Sequence, residues 1–66
     1  MNNYYKKGIE PIDYIMKNNL NFNEGNVIKY ISRYKYKHAN NKHLQIEDLN
    51  KAKKYIDYII KSILEK

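Results

Sequence analysis

Two strips of polar and aromatic side chains at helical spacing are the features of this 66-residue sequence that suit binding of a charged ligand. The first strip follows i, i+3, i+4, i+7 and i+11 and consists of Asn26, Lys29, Tyr30, Arg33 and Lys37. The second strip consists of Asp48, Lys51, Tyr55 and Tyr58. Ammonium and guanidinium groups bind phosphate oxygens, and aromatic rings stack on nucleobases. The strips therefore predict a binding site for a mononucleotide or a cyclic nucleotide.

Both strips also fit ordinary structural roles. Lys and Tyr beside an apolar helix face commonly form a solvated flank whose stems cover part of that face. Tyr55 and Tyr58 suit a contact between subunits equally well, because tyrosine is enriched at protein interfaces. Arg33 suits either a phosphate contact or a salt bridge to one of three carboxylates, those of Glu24, Asp48 and Asp57.

The residue patterns of the common enzyme classes are missing from this sequence. Its acidic residues are scattered, whereas Mg²⁺-dependent all-α pyrophosphohydrolases carry them in helical pairs. Ser32 and Ser62 have no neighbouring base, and the chain has no glycine-rich Walker loop and no cysteine. His38 and His43 fall in a polar connector, where we expect them to be exposed and inert. The sequence thus favours a non-catalytic protein with no metal site and no cofactor.

The formal net charge of +6 suits a polyanionic partner, so a nucleic-acid-binding accessory protein is an alternative function. Lys (12), Asn (10), Ile (10) and Tyr (8) make up 40 of the 66 residues, a composition typical of an AT-rich coding sequence. Part of the charge then reflects codon usage. The chain has no apolar run of membrane-spanning length and no secretory signal pattern, which predicts a cytoplasmic protein with no membrane partner.

Hydrophobic periodicity predicts a single all-α domain over the whole chain, with helices at about 11–17, 22–37 and 46–65. Pro11 suits a first helical position, and Asn21 and Glu24 have the spacing of a capping box. Glu47 and Asp48 are expected in the first turn of the third helix, where the helix dipole favours negative charge. The two long helices are expected to form an antiparallel hairpin, with the short first helix across one side.

A chain of 66 residues without cysteine is smaller than the size at which one hydrophobic core usually suffices. Self-association is the expected remedy, so the sequence predicts a homo-oligomer. Because a helical hairpin has little interior space, we expect ligand pockets between its subunits.

Three blocks of the sequence, at residues 5–15, 24–34 and 47–56, resemble a family of small phage proteins, the SaV-like domain of unknown function. They match the family patterns I-E-P-I-D, G-N-x-I-K-Y-I-x-R and E-D-L-x-K-A-x-x-Y-L. The chain departs from the family near its N-terminus, where Tyr4 stands in place of the usual His before a Tyr.

This resemblance implies a phage protein associated with nucleotides, because family members also occur fused in a podophage nucleotide kinase. Gly25 is then expected to permit close approach of a ligand phosphate or of a neighbouring helix. The expected function is non-catalytic nucleotide binding in the cytoplasm of an infected bacterium, as a sponge for a nucleotide immune signal. A domain related to nucleotide kinases is a further alternative. Carried over by position, the implied nucleotide-binding residues are Tyr5, Asn26, Lys29, Tyr30, Arg33, Asp48, Lys51 and Tyr55.

Overall fold

The computed structural model describes residues 9–66, and this part of the chain is all-helical, as the periodicity predicts. The helices α1, α2 and α3 have the bounds Pro11–Lys17, Phe22–Lys37 and Lys42–Leu64. α1 and α2 span the predicted residues, whereas α3 begins four residues before position 46. Within residues 9–66, no helix combines the length and the apolar composition that crossing a membrane requires.

Backbone geometry fixes both ends of α1. Pro11 lies in the first turn, where its missing N–H leaves no helical hydrogen bond unmade. At the other end Asn19 adopts the left-handed conformation with φ of 53°, which Asn tolerates better than most residues. The N–H of Leu20 donates to the carbonyl of Ile15 at 3.0 Å. The N–H of Asn19 donates to the carbonyl of Met16 at 3.3 Å, which completes a Schellman motif.

α2 begins with the predicted capping box. The Asn21 side chain accepts a hydrogen bond from the Glu24 N–H, and the Glu24 carboxylate accepts one from the Asn21 N–H, both at 2.9 Å. Two N–H groups that a helix start leaves without partners are satisfied in this way. Asn21 and Glu24 therefore fix the start of the helix that carries the first strip.

α3 begins at Lys42 because Asn41 caps it, accepting a hydrogen bond from the N–H of Leu44 at 3.0 Å. The prediction of a start near position 46 was wrong, since the polar residues before it suit a helix start as well as a loop. The first turn of α3 holds no acidic residue, so Glu47 and Asp48 lie beyond the reach of the dipole effect expected for them.

The connector of residues 38–41 is closed by a side chain from α3. Gln45 Nε2 donates to the carbonyl of His38 at 2.7 Å, and the N–H of Asn41 donates to the same carbonyl at 3.1 Å. These bonds satisfy a carbonyl that the end of α2 would otherwise leave without a hydrogen-bond donor. The short connector brings α2 and α3 side by side.

α2 packs against both α1 and α3, and among residues 9–66 no contact joins α1 to α3. The principal extents of the Cα atoms are 40 × 29 × 14 Å, so the molecule is flat and its smallest extent is less than half of either of the others. The three helices therefore form one layer with α2 in the middle. Domains normally bury their apolar faces between two layers.

Gly25 is buried at the contact between α1 and α2. A Cβ atom at this position would lie 3.3 Å from Cγ2 of Ile15, which is tighter than an ordinary contact. Of the two expected reasons for this glycine, the approach of a neighbouring helix is therefore the one that the packing supplies.

The interior of this layer is small. Ala52 is buried at 2% exposure, as is Asp48 at 3%, and within residues 9–66 the only other buried positions are Pro11 and Gly25. Many large apolar side chains are exposed on α3, including Ile56, Ile60, Ile63 and Leu64 at 40–78%. One copy of the chain thus leaves much of its apolar surface in contact with water.

We expect Asn21→Ala to lower the free energy of unfolding by about 1 kcal/mol, because it removes the N-cap of α2. Urea unfolding followed by circular dichroism at 222 nm measures this change. Asn40→Ala is the matched control, because Asn40 is exposed in the connector. Equal losses in the two variants would contradict a stabilising role for the capping box.

Candidate functional site

Three cationic side chains surround the ring of Tyr30. Lys29 Nζ lies 4.8 Å from the ring centroid, and Cζ of Arg33 lies at 5.0 Å. Lys51 Nζ reaches the same ring from α3, at 5.6 Å. All three distances are within the range of cation–π attraction, about 6 Å. Tyr30 therefore gathers positive charge from two helices at one place.

Tyr55 joins this group through aromatic contacts. Its ring is nearly parallel to that of Tyr30, at 12° and a centroid distance of 6.1 Å. It meets Phe22 and Tyr58 edge-on, each at 5.9 Å. We call Lys29, Tyr30, Arg33, Lys51 and Tyr55 the cation–phenol cluster. The two predicted strips meet in this cluster across the contact between α2 and α3.

A buried carboxylate lies beside the cluster. The Asp48 side chain is 4% exposed, and its Oδ2 lies 3.8 Å from Arg33 Nε and 3.2 Å from His38 Nε2. Among the residues described, neither Asp48 Oδ2 nor Arg33 Nε makes a hydrogen bond of good geometry. The contact is therefore an ion pair held by proximity, and it fixes the guanidinium next to Tyr30.

His38 lies beside the candidate site, a position that the sequence analysis did not predict. It was expected to be exposed and inert, but its side chain is 15% exposed and faces Asp48. The expectation was wrong because the connector folds back onto α3, where Gln45 holds the His38 carbonyl. The signal available in the sequence was a His in the connector together with an Asp almost two turns inside the next helix. His43 is exposed, as expected.

The charges around Tyr30 do not balance. Asp48 compensates Arg33, and Glu47 lies 3.9 Å from Lys51 as an exposed i, i+4 pair. Such exposed pairs contribute about 0.5 kcal/mol or less. The three cations of the cluster therefore have two carboxylate partners. This leaves an excess of one positive charge when His38 is counted as neutral. An anion would find a complementary charge here.

The other predicted site residues are not part of the cluster. Asn26 is next to it, but its Nδ2 donates to the carbonyl of Phe22 at 3.0 Å. Lys37 is exposed near the end of α2, outside the cluster. Tyr5 lies outside the described residues. The part of the chain from residue 9 onward holds no group of three or more His, Asp and Glu side chains placed to bind a metal ion.

An open cleft of about 490 Å³ runs between α1 and α2. Lys29 and Arg33 belong to both the cleft and the cation–phenol cluster. The volume lies within the range of small-molecule sites, about 300–1,000 Å³. Periodicity did not reveal the cleft, because it depends on how α1 is placed against α2. Its other walls are mainly apolar, including Pro11, Ile12, Ile15, Leu20 and Phe22.

Asp48→Ala is expected to lower the free energy of unfolding by about 2–3 kcal/mol, because it leaves Arg33 partly buried without its counter-charge and removes the partner of His38. Urea unfolding measures the loss. Asp57→Ala is the matched control on the exposed side of α3, and we expect it to change stability by less than about 0.5 kcal/mol. A loss for Asp48→Ala no larger than that of the control would show that the buried pair contributes nothing.

A family model described as "protein of unknown function (DUF3310)" matches residues 2–57. No curated protein and no solved structure matches the chain significantly. The matched range includes α1, α2 and all residues of the cation–phenol cluster. It fits the expected resemblance to a small domain of unknown function. Since the match covers most of the chain, the protein belongs to the DUF3310 family.

Proposed function

We propose that this protein binds a nucleotide without converting it, and that the cation–phenol cluster holds the phosphate. The observation that supports this function is the placement of three cations within 4.8–5.6 Å of the Tyr30 ring centroid. Cations gathered around one ring repel one another, and a bound phosphate would reduce this repulsion. Arg33 offers a planar fork to the phosphate, and the two lysines offer point charges.

The site suits binding better than catalysis. Within residues 9–66 the carboxylates do not form a metal-binding group, and Asp48 already contacts Arg33 and His38. Phosphoryl transfer requires a cation bridge and a positioned nucleophile. The side chains described supply positive charge and aromatic surface, which are the requirements for holding a nucleotide.

We further propose that α2 and α3 form an antiparallel hairpin. As the chain advances along α2, the contacts on α3 run in the opposite direction. Phe22 meets Tyr55, whereas Arg33 meets Asp48. His38, just after α2, also meets Asp48, near the start of α3.

The protein is proposed to act as a homo-oligomer. Ile56, Ile60 and Ile63 follow i, i+4 and i+7 on α3 and are exposed at 40%, 49% and 62%. At about 100° per residue, this apolar strip lies on the opposite flank of α3 from Lys51 and Tyr58. A second copy packed on the strip would supply the missing second layer. Pairing there leaves the cluster open to a ligand, or to a further copy that would enclose the site between subunits.

Within this function we propose the role of a phage protein that sequesters a nucleotide immune signal in the bacterial cytoplasm. The resemblance to small phage proteins and the association of that family with nucleotides support this role. A sponge requires a binding site, self-association for multiple sites, and no turnover. The cluster and the apolar strip support the first two of these requirements.

The net charge of +6 supports nucleic-acid binding as a second candidate. Binding to a phosphate backbone releases counterions, so its affinity falls steeply with salt. An enclosed nucleotide makes fewer phosphate contacts and depends on salt less steeply. Titrations of a 20-nucleotide single strand and of mononucleotides at 50 and 200 mM salt therefore separate the two functions.

Lys29→Ala is expected to weaken nucleotide binding about tenfold, because it removes a charged contact to phosphate without breaking the Asp48 pair. Isothermal titration with a panel of mononucleotides and cyclic nucleotides measures the affinity. Lys35→Ala is the matched control, since it removes the same charge from the same helix at an exposed position away from Tyr30. Absence of binding for every nucleotide would refute the proposed function.

Ile60→Gln is expected to lower the subunit count, because it places a polar group in the proposed apolar contact. Native mass spectrometry reports the subunit count together with any retained small molecule. Tyr58→Gln is the control, because Tyr58 is 44% exposed and Ile60 is 49% exposed, on opposite flanks of α3. A wild-type protein that is monomeric at micromolar concentration would contradict the oligomer.

A further inference from the structure

The Tyr30 ring leaves little space for a nucleobase. Three cations lie within 5.6 Å of its centroid, and the Tyr55 ring lies at 6.1 Å in a nearly parallel orientation. Tyr55 is in turn contacted edge-on by Phe22 and Tyr58. A base stacked on either phenol would have to displace these neighbours. A ligand whose phosphate lies at the cluster therefore needs another place for its base.

The cleft between α1 and α2 adjoins the cation–phenol cluster. Lys29 and Arg33 line both, so a phosphate bound by these two cations is already at the mouth of the cleft. The remaining walls are mainly apolar, which suits the faces of a flat ring. Cluster and cleft thus form one continuous surface with a cationic end and an apolar end.

Phe22 supplies an aromatic surface in this cleft. It is 75% exposed although it is one of the larger apolar side chains, and it meets Tyr55 edge-on. At this exposure, most of the Phe22 ring surface is open to solvent. Aromatic faces of this kind stack on bases regardless of base identity.

We infer that the α1–α2 cleft is the base-binding part of the site, with the base stacked on Phe22 and the phosphate at Lys29 and Arg33. The ligand is then a nucleoside phosphate rather than inorganic phosphate or a phosphorylated sugar. This inference rests on the proposed function and assigns α1 a role in it. Asn26, which lines the cleft beside Lys29, is placed within reach of the sugar or the base edge.

Phe22→Ala tests the inference by titration with adenosine monophosphate, guanosine monophosphate and ribose 5-phosphate. We expect the variant to bind both nucleotides about fivefold or more weakly, since loss of one base stack has roughly this effect, and to bind ribose 5-phosphate as the wild type does. Met16→Ala is the matched control, because Met16 is 70% exposed on α1 and is not part of the cleft wall.

The possible outcomes distinguish failure of the cleft assignment from failure of the proposed nucleotide-binding function. Nucleotide binding that is weakened by Lys29→Ala but unchanged by Phe22→Ala overturns the cleft assignment and keeps the proposed function. Equal affinity of the wild type for ribose 5-phosphate and the nucleotides also overturns the assignment. No binding of these three ligands or of any nucleotide in the wider panel refutes both. Circular dichroism of Phe22→Ala confirms that its helices are intact before the affinities are compared.

Discussion

A carboxylate buried between two helices is the constraint on which the arrangement of this protein depends. Asp48 is 4% exposed at its side chain, and a charge in that position requires compensation. Arg33 provides it, with His38 Nε2 3.2 Å away, only if the end of α2 and the first turns of α3 lie side by side. Since Tyr30 and Arg33 are neighbours on one face of α2, holding Arg33 also holds Tyr30 against α3. The cation–phenol cluster is therefore a consequence of the buried pair.

The second constraint is the thickness of the molecule. A layer whose Cα atoms span 14 Å in the smallest dimension has two broad sides and little interior. Within residues 9–66, Ala52 is the one apolar side chain of α2 and α3 that is buried. The two sides differ in chemistry. One carries the cluster and the mouth of the cleft, and the other carries the apolar strip of α3. The proposed function uses one side for association and the other for ligand binding.

Much of the local structure could be predicted from the sequence. Pro11 and the Asn21–Glu24 pair identify the starts of α1 and α2, because caps act over three or four residues. The start of α3 was missed, since Asn41 has the same residue type as Asn40 beside it and only its hydrogen bond to Leu44 distinguishes it. The strip on α2 was found by spacing, and the structure brings most of its residues together.

The sequence by itself determined the presence of three helices, the starts of α1 and α2 and the two strips, because each depends on residues a few positions apart. Only the tertiary structure decided that Asp48 is buried, that His38 turns inward and that α1 leaves a cleft beside Lys29 and Arg33. These features depend on contacts between residues that are distant along the chain. Helical periodicity specifies which side chains share a face, but it does not specify which face meets which neighbour.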